Sequence, residues 1–281
     1  MQARLMTDGY LNGDVIAAYF RVTKTLGSGS FGRVVEAVDV RTGAYVAIKL
    51  EAKDAEFPQL VYEKRVMDEL GHCKGFPACI WFGYDDVYNM LIMERLNTSL
   101  EQLRVREGGR LPLDYLQHVG QQGLDRLHTF HAAGFAHRDI KPENFMMSKR
   151  ILFLIDFGLC KRVLSPETGV HIAHRGGKTL AGTPRYASVC AHEGHEQSRR
   201  DDLESFIYMM VFLAKGSLPW QKNLGVKFED IEACKVRTEP ADLCAGLPAC
   251  YRLTLEHARG LAFDQCPNYT LVKTLWRTQT L

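Results

Sequence analysis

The chain has 281 residues, 46% of them hydrophobic and 24% charged, with a formal net charge of +2. That much apolar material supplies cores for more than one ordinary unit and excludes a disordered chain, and the near-balanced charge gives no general attraction to nucleic acid or to a membrane surface. No apolar run approaches the roughly 20 residues that cross a bilayer, so no membrane span is expected. The eight cysteines, scattered without C-x-x-C pairs or a signal peptide, read as reduced, mostly buried thiols, and a cytoplasmic or nuclear setting is expected.

Residues 20 to 50 alternate and turn like three antiparallel strands, with Arg21 to Lys24 entering the first turn and Val34 to Val38 leaving it. Residues 58 to 70 have helical spacing behind Pro58. Cys79 to Tyr84 and Tyr88 to Met93 flank a turn at Asp85-Asp86 and complete a five-stranded sheet by pattern. Periodicity breaks at Leu96-Asn97-Thr98, and beyond it helical stretches near 100 to 106, 113 to 133, 201 to 215 and 248 to 262 dominate. The expected fold class is therefore α+β and bilobal: a small five-stranded antiparallel β lobe with one main helix over 1–95, and a larger, mostly α-helical lobe over 96–281, forming one domain over 1–281.

Leu26-Gly27-Ser28-Gly29-Ser30-Phe31-Gly32-Arg33-Val34 reads G-x-G-x-x-G-x-V. Alone it fits an ordinary hairpin as well as a phosphate cradle, but a strand follows where a dinucleotide fold would place a helix. Val46-Ala47-Ile48-Lys49 comes next, then His137-Arg138-Asp139-Ile140-Lys141-Pro142-Glu143-Asn144, then Asp156-Phe157-Gly158. Singly, such a Lys or Glu is a solvated surface charge, and such an Asp or Asn is a turn or a helix cap. In this order they resemble the phosphoryl-transfer signature of protein kinases. His192-Glu193-Gly194-His195 is a poor zinc pattern, because its histidines are three apart and H-E-x-x-H needs four on one helical face.

The kinase resemblance implies a division of tasks, since that reaction depends on holding a phosphate, offsetting its charge and aiming a hydroxyl. ATP and Mg²⁺ are the implied cofactors. Leu26, Gly27, Ser28, Gly29, Ser30, Gly32, Val34 and Ala47 would surround ATP, with Phe31 at the loop tip. Lys49 would meet the α and β phosphates and pair with Glu63, with Glu69 and Glu51 as weaker candidates. Asp139 would orient the substrate hydroxyl or accept its proton, Lys141 would steady the transferring phosphate, and Asn144 with Asp156 would hold Mg²⁺ through oxygen. Retention of all these residues speaks against a pseudokinase scaffold, and the segment after Asp156 speaks against a small-molecule kinase.

Gly182-Thr183-Pro184-Arg185-Tyr186-Ala187-Ser188, the run from Glu196 to Ser205, Ser217-Leu218-Pro219-Trp220-Gln221 and Phe263 to Tyr269 look like the casein kinase 1 family of serine/threonine protein kinases, a resemblance covering roughly residues 18 to 278. It implies Met93 as gatekeeper, Glu94 and Leu96 as backbone contacts for adenine, and Asp202 as the holder of the catalytic loop. It also implies protein substrates presenting serine or threonine near an acidic or phosphorylated position, read by a basic site of Arg138, Lys178, Arg185 and Lys227; a monomer is expected. Arg259 matches a core arginine whose usual A-P-E glutamate is missing here. The chain departs from the family in the short, partly acidic run after Trp220, at Ala181 and at Ile207.

Overall fold

The computed structural model describes residues 10–29, 32–221 and 228–278, so Ser30, Phe31 and Lys227 lie outside the described residues. The chain divides into two units between Asn97 and Thr98, with Asp156–Gly158 grouped in the first.

In the first unit, alternating apolar side chains build a sheet. Its strands are β1 (Val15–Ile16), β2 (Phe20–Gly29), β3 (Gly32–Asp39), β4 (Tyr45–Ala52), β5 (Cys79–Tyr84) and β6 (Tyr88–Glu94), in the spatial order β1-β2-β3-β4-β6-β5. Five strands were expected and six are present. The added edge strand β1 pairs Val15 with Arg21 and Ile16 with Phe20, and two residues are too few to show alternation. It is fixed by burial of Ile16 and by the preceding Tyr10, whose hydroxyl donates to Asp85 at 2.5 Å.

Register decides which side chains share a face. Val35, Ile48 and Ile92 are cross-strand partners within a core that also takes Ala37, Leu50 and Met90. Their neighbours turn the other way, placing Val34, Lys49 and Leu91 in one row and Ala47 opposite Met93 in the next. Helix α1 (Leu60–Leu70) buries Leu60, Val66, Met67 and Leu70. Its first amides are satisfied from β4, where Glu51 accepts from the Gln59 and Leu60 nitrogens at 2.6 and 2.9 Å. A carboxylate there also suits the positive end of the helix.

The second unit opens with β7 (Thr98–Ser99), α2 (Leu100–Arg106), α3 (Leu113–Ala132), β8 (Phe135–Ala136), β9 (Phe145–Ser148), β10 (Ile151–Leu154) and β11 (Lys161–Arg162). Here β7, β9 and β10 form one small sheet, and β11 pairs with β8. There follow α4 (Val189–His192), α5 (Arg199–Lys215), α6 (Phe228–Arg237), α7 (Pro240–Leu243), α8 (Ala249–Arg259) and α9 (Tyr269–Thr278). The helix expected from 201 begins two residues earlier, at Arg199, where Asp201 Oδ2 accepts from the Ser198 amide at 2.8 Å. The one expected over 248–262 stops at Arg259, before Gly260. No described helix is long and apolar enough to cross a membrane.

Helix α3 approaches its neighbours at two glycines. A Cβ on Gly120 would lie 2.1 Å from the Trp276 ring of α9, and one on Gly123 would lie 2.5 Å from Phe206 of α5. Both rings are buried and have nowhere to retreat. Gly120→Ala should therefore lower stability by up to about 2 kcal/mol in urea unfolding, since overpacking of about 1 to 3 kcal/mol is offset by a gain in helix propensity of about 1 kcal/mol.

Candidate active site

Two clusters of charged side chains lie at the expected motifs, one in each unit. In the first, β4 presents Lys49 on the face opposite the apolar core. Its Nζ donates to Glu63 Oε2 at 2.6 Å and to Asp156 Oδ1 at 2.9 Å. Burial draws the Lys49 ammonium down, but Glu63 and Asp156 override it and hold the group well above its ordinary value. Lys49 is thus a fixed cation, with its direction set by two carboxylates on separate elements. Glu63 also accepts from the Phe157 amide at 3.3 Å. Asp156 sits in the left-handed region at φ 66, unusual for a residue with a side chain. Glu51, a weaker candidate for Lys49, is used as the cap of α1 instead.

The glycine loop shows two kinds of constraint. Gly32 has φ +120, and a Cβ there would come within 2.1 Å of the Leu50 carbonyl oxygen, so the protein's own backbone demands glycine. A Cβ at Gly27 or Gly29 would meet no atom of the described residues within 4 Å. Ser28 lies on the same strand, paired with Arg33. Leu26 is exposed at the loop's entrance and Val34 half-buried, while Ala47 and Leu96 are buried. Met93 pairs with Ala47, and Glu94 Oε1 accepts from the Ala78 amide at 3.3 Å.

The second cluster surrounds Asp139. Lys141 Nζ donates to its Oδ2 at 2.6 Å, and the Thr183 amide and hydroxyl donate to its Oδ1 at 2.9 and 2.8 Å. Asn144 Nδ2 donates to the Asp139 carbonyl at 2.9 Å, which leaves its amide oxygen as the atom a cation would meet. Gly182 is required here: its φ is +93, and a Cβ would approach the Arg138 carbonyl oxygen to 2.2 Å. The sequence offers Thr183 only as a possible phosphorylation position, and its bonds to Asp139 are not expected from it, although its place directly after Gly182 in the Gly-Thr-Pro-Arg-Tyr run is the available signal.

The backbone of this loop is held by Asp202 of α5. Its Oδ2 accepts from the His137 amide at 2.6 Å and its Oδ1 from the Arg138 amide at 2.8 Å, with Arg138 at φ 66. His131 Nε2 lies 2.9 Å from Asp202 Oδ2, and Tyr269 Oη lies 2.6 Å from His131 Nδ1. Burial keeps His131 below its ordinary value and so neutral. Burial opposes ionisation of Asp202, but His131 and the backbone amide hold it below the usual carboxylate range. An ionised carboxylate only accepts, so His131 carries its proton on Nε2 and Tyr269 donates to Nδ1.

Of the residues expected to form a basic site, Arg138, Lys178 and Arg185 are described. Arg138 and Lys178 each lie 3.8 Å from Glu196, and Lys161, which the sequence reading left out, lies 2.7 Å from it. Burial raises the Glu196 carboxyl, but Lys161, Arg138 and Lys178 together hold it low. Arg138 also donates from Nε to the Leu159 carbonyl at 2.8 Å. The exposed Arg185 stacks elsewhere, with its guanidinium 5.4 Å from the Phe212 ring centroid and 5.8 Å from that of Tyr186. A nearly buried carboxylate gathers Arg138, Lys161 and Lys178, and aromatic faces take Arg185. Arg259, whose partner the sequence did not supply, bonds Glu204 at 3.3 Å and the Tyr208 hydroxyl at 2.8 Å. Among the described residues no group of three or more His, Cys, Asp or Glu side chains is placed to hold a metal ion.

A family model of the protein kinase domain matches residues 20–244. The chain belongs to this family, with a curled antiparallel sheet in its first part and a helical second part. Protein kinase domains transfer phosphoryl groups to protein substrates.

The geometry around Asp202 yields one expectation. Asp202→Asn turns an amide N–H₂ toward groups that already donate, so it should cost about 2 to 4 kcal/mol. Urea unfolding measures that loss, and ¹⁵N spectra of the His131 ring should show its Nε2–H tautomer population redistributed.

Proposed function

We propose that this chain is an ATP-dependent serine/threonine protein kinase of the casein kinase 1 type, using Mg²⁺ and acting as a monomer in the cytoplasm or nucleus. The observation that carries the reading is Lys49, fixed between Glu63 and Asp156, in one chain with an Asp139 carboxylate steadied by Lys141 and Thr183. A lysine held this way presents a permanent positive charge to phosphate oxygens, with no cost of reorganisation during reaction.

The residues fit the nucleotide and its metal. Gly27 and Gly29 are not demanded by the protein's own packing, and Cβ-free backbone there leaves room for phosphate oxygens. Asn144 and Asp156 offer the hard oxygen donors that Mg²⁺ prefers. When bound, ATP supplies the phosphoryl group and Mg²⁺ the charge that offsets it. Asp139 Oδ2 would orient the incoming serine or threonine hydroxyl and receive its proton. Lys141, already bonded to that oxygen, would share its ammonium with the phosphate as charge moves. Val34, Ala47, Met93 and Leu96 supply apolar surface for adenine, and the backbone at Glu94 and Leu96 supplies its polar contacts.

A preference for acidic or phosphorylated neighbours of the target hydroxyl would draw on Arg138, Lys161 and Lys178, three cations against the single carboxylate Glu196. Arg185 is the exposed cation further along the same segment. The same carboxylate gives Arg138 an internal counter-charge, so an activation-segment phosphate is not needed to order it.

Radiolabelled ATP transfer to matched unprimed, acidic and phosphoserine-primed peptides tests this. Primed and acidic peptides should show the higher kcat/KM; equal values would remove the preference, and no transfer would remove the kinase reading. Asp156→Asn should fold normally and lose Mg²⁺-dependent turnover by about 100-fold or more, because it deletes the metal's charge without deleting volume. Near-normal kcat in the folded variant would refute the assignment. Phosphatase-treated enzyme should keep most of its activity, and loss restored by autophosphorylation would show a phosphate switch instead.

A further inference from the structure

Lys235, on α6, is fully buried. Its nitrogen donates to the Pro184 carbonyl at 2.7 Å and to the Ala187 carbonyl at 2.6 Å, and lies 3.1 Å from His192 Nε2, which is itself 3.0 Å from the Pro184 carbonyl. The ring centroids of Trp220 and Tyr208 lie 5.1 and 5.2 Å from Nζ. Burial draws the Lys235 ammonium down to about 7, with Glu204 opposing and Arg259 adding to the shift. Its direct partners are thus backbone oxygens, an imidazole and ring faces. For stability alone an apolar side chain would fill this space at lower desolvation cost.

The carbonyls it holds belong to one short segment. Thr183 begins that segment and bonds Asp139 through both its amide and its hydroxyl. Ser188 ends it, donating to Asp201 Oδ1 at 2.6 Å. Between them Trp220 Nε1 donates to the Arg185 carbonyl at 2.8 Å. Residues 183 to 188 belong to no strand or helix; the Thr183 and Ser188 carbonyls accept from backbone amides, whereas those of Pro184, Arg185 and Ala187 accept from side chains. Lys235 supplies two of these bonds from a single nitrogen, at 2.7 and 2.6 Å.

We propose that Lys235 is a positioning residue for the protein substrate, its Nζ clamping the Pro184 and Ala187 carbonyls so that the segment running from Thr183 presents the substrate to Asp139. The proposal rests on the kinase reading for its substrate role, while the clamp itself is measurable without catalysis. Lys235→Met keeps length and volume and deletes every donor. It should raise KM for a peptide substrate about 10-fold or more while KM for ATP moves less than about 2-fold. Amide exchange at Tyr186, Ala187 and Ser188 should quicken about 10-fold, with exchange in α3 unchanged. Lys235→Gln keeps an N–H₂ on a side chain one bond shorter and should fall between, with peptide KM raised about 3- to 10-fold; it decides the matter where the Met variant does not fold.

Peptide KM within about 2-fold of wild type in a folded variant, with exchange at 186–188 unchanged, would overturn the proposal. So would equal losses in the peptide and ATP constants with a lowered Tm, the behaviour of a merely structural lysine. Absence of peptide transfer by the wild type would overturn the kinase reading and the substrate role with it, and exchange in Lys235→Met would still show whether the clamp exists.

Discussion

One buried carboxylate, that of Asp202, sets the backbone on which the second charged cluster depends. It accepts from two successive amides, His137 and Arg138, and the second belongs to a residue in the left-handed region. A side-chain-bearing residue holds that conformation only when its surroundings overdetermine it. Asp139, the next residue, inherits the direction this imposes, and Lys141, Asn144 and Thr183 then bond to it within hydrogen-bonding range. The carboxylate stays ionised because each oxygen has donors, including an imidazole fixed by Tyr269 from the last described helix.

A second layer of polar anchors fixes the segment after Gly182. Asp139, Lys235, Trp220 and Asp201 hold it from four places. Glu204 and Tyr208 bond each other, and both bond Arg259. Arg259 also donates to the Lys235 carbonyl at 3.3 Å. These bonds join buried polar groups in pairs, the condition under which low dielectric strengthens hydrogen bonds instead of penalising them.

The sequence made much of this legible, for identifiable reasons. Strong alternation marked the strands from 20 to 52 and from 79 to 94, and the sheet appears there. The pairing of Lys49 with Glu63 was readable because motif order fixes both ends. What escaped was short or tertiary. The two-residue strand β1 carries no periodicity, and its stability comes from Ile16 and Tyr10 packing on distant residues. Lys161 and Lys235 look like ordinary surface lysines, since nothing local says that one meets Glu196 or that the other is sealed beneath two carbonyls. Arg185 was placed with Arg138 and Lys178 by resemblance, but its aromatic neighbours come from Tyr186 beside it and Phe212 on α5. Charge type is local information; burial and partner are not.

The contact between Gly120 and Trp276 joins two positions far apart in the chain into one steric unit, because the indole occupies the space a side chain on α3 would need. Volume added at one site must be removed at the other if helix α9 is to keep its place. Replacements at 120 and 276 should therefore be tolerated in compensating pairs and resisted singly. The same helix carries Tyr269, which orients His131. Drift in α9 would thus be felt at the catalytic loop, so selection on turnover would act on a glycine that touches no reacting group.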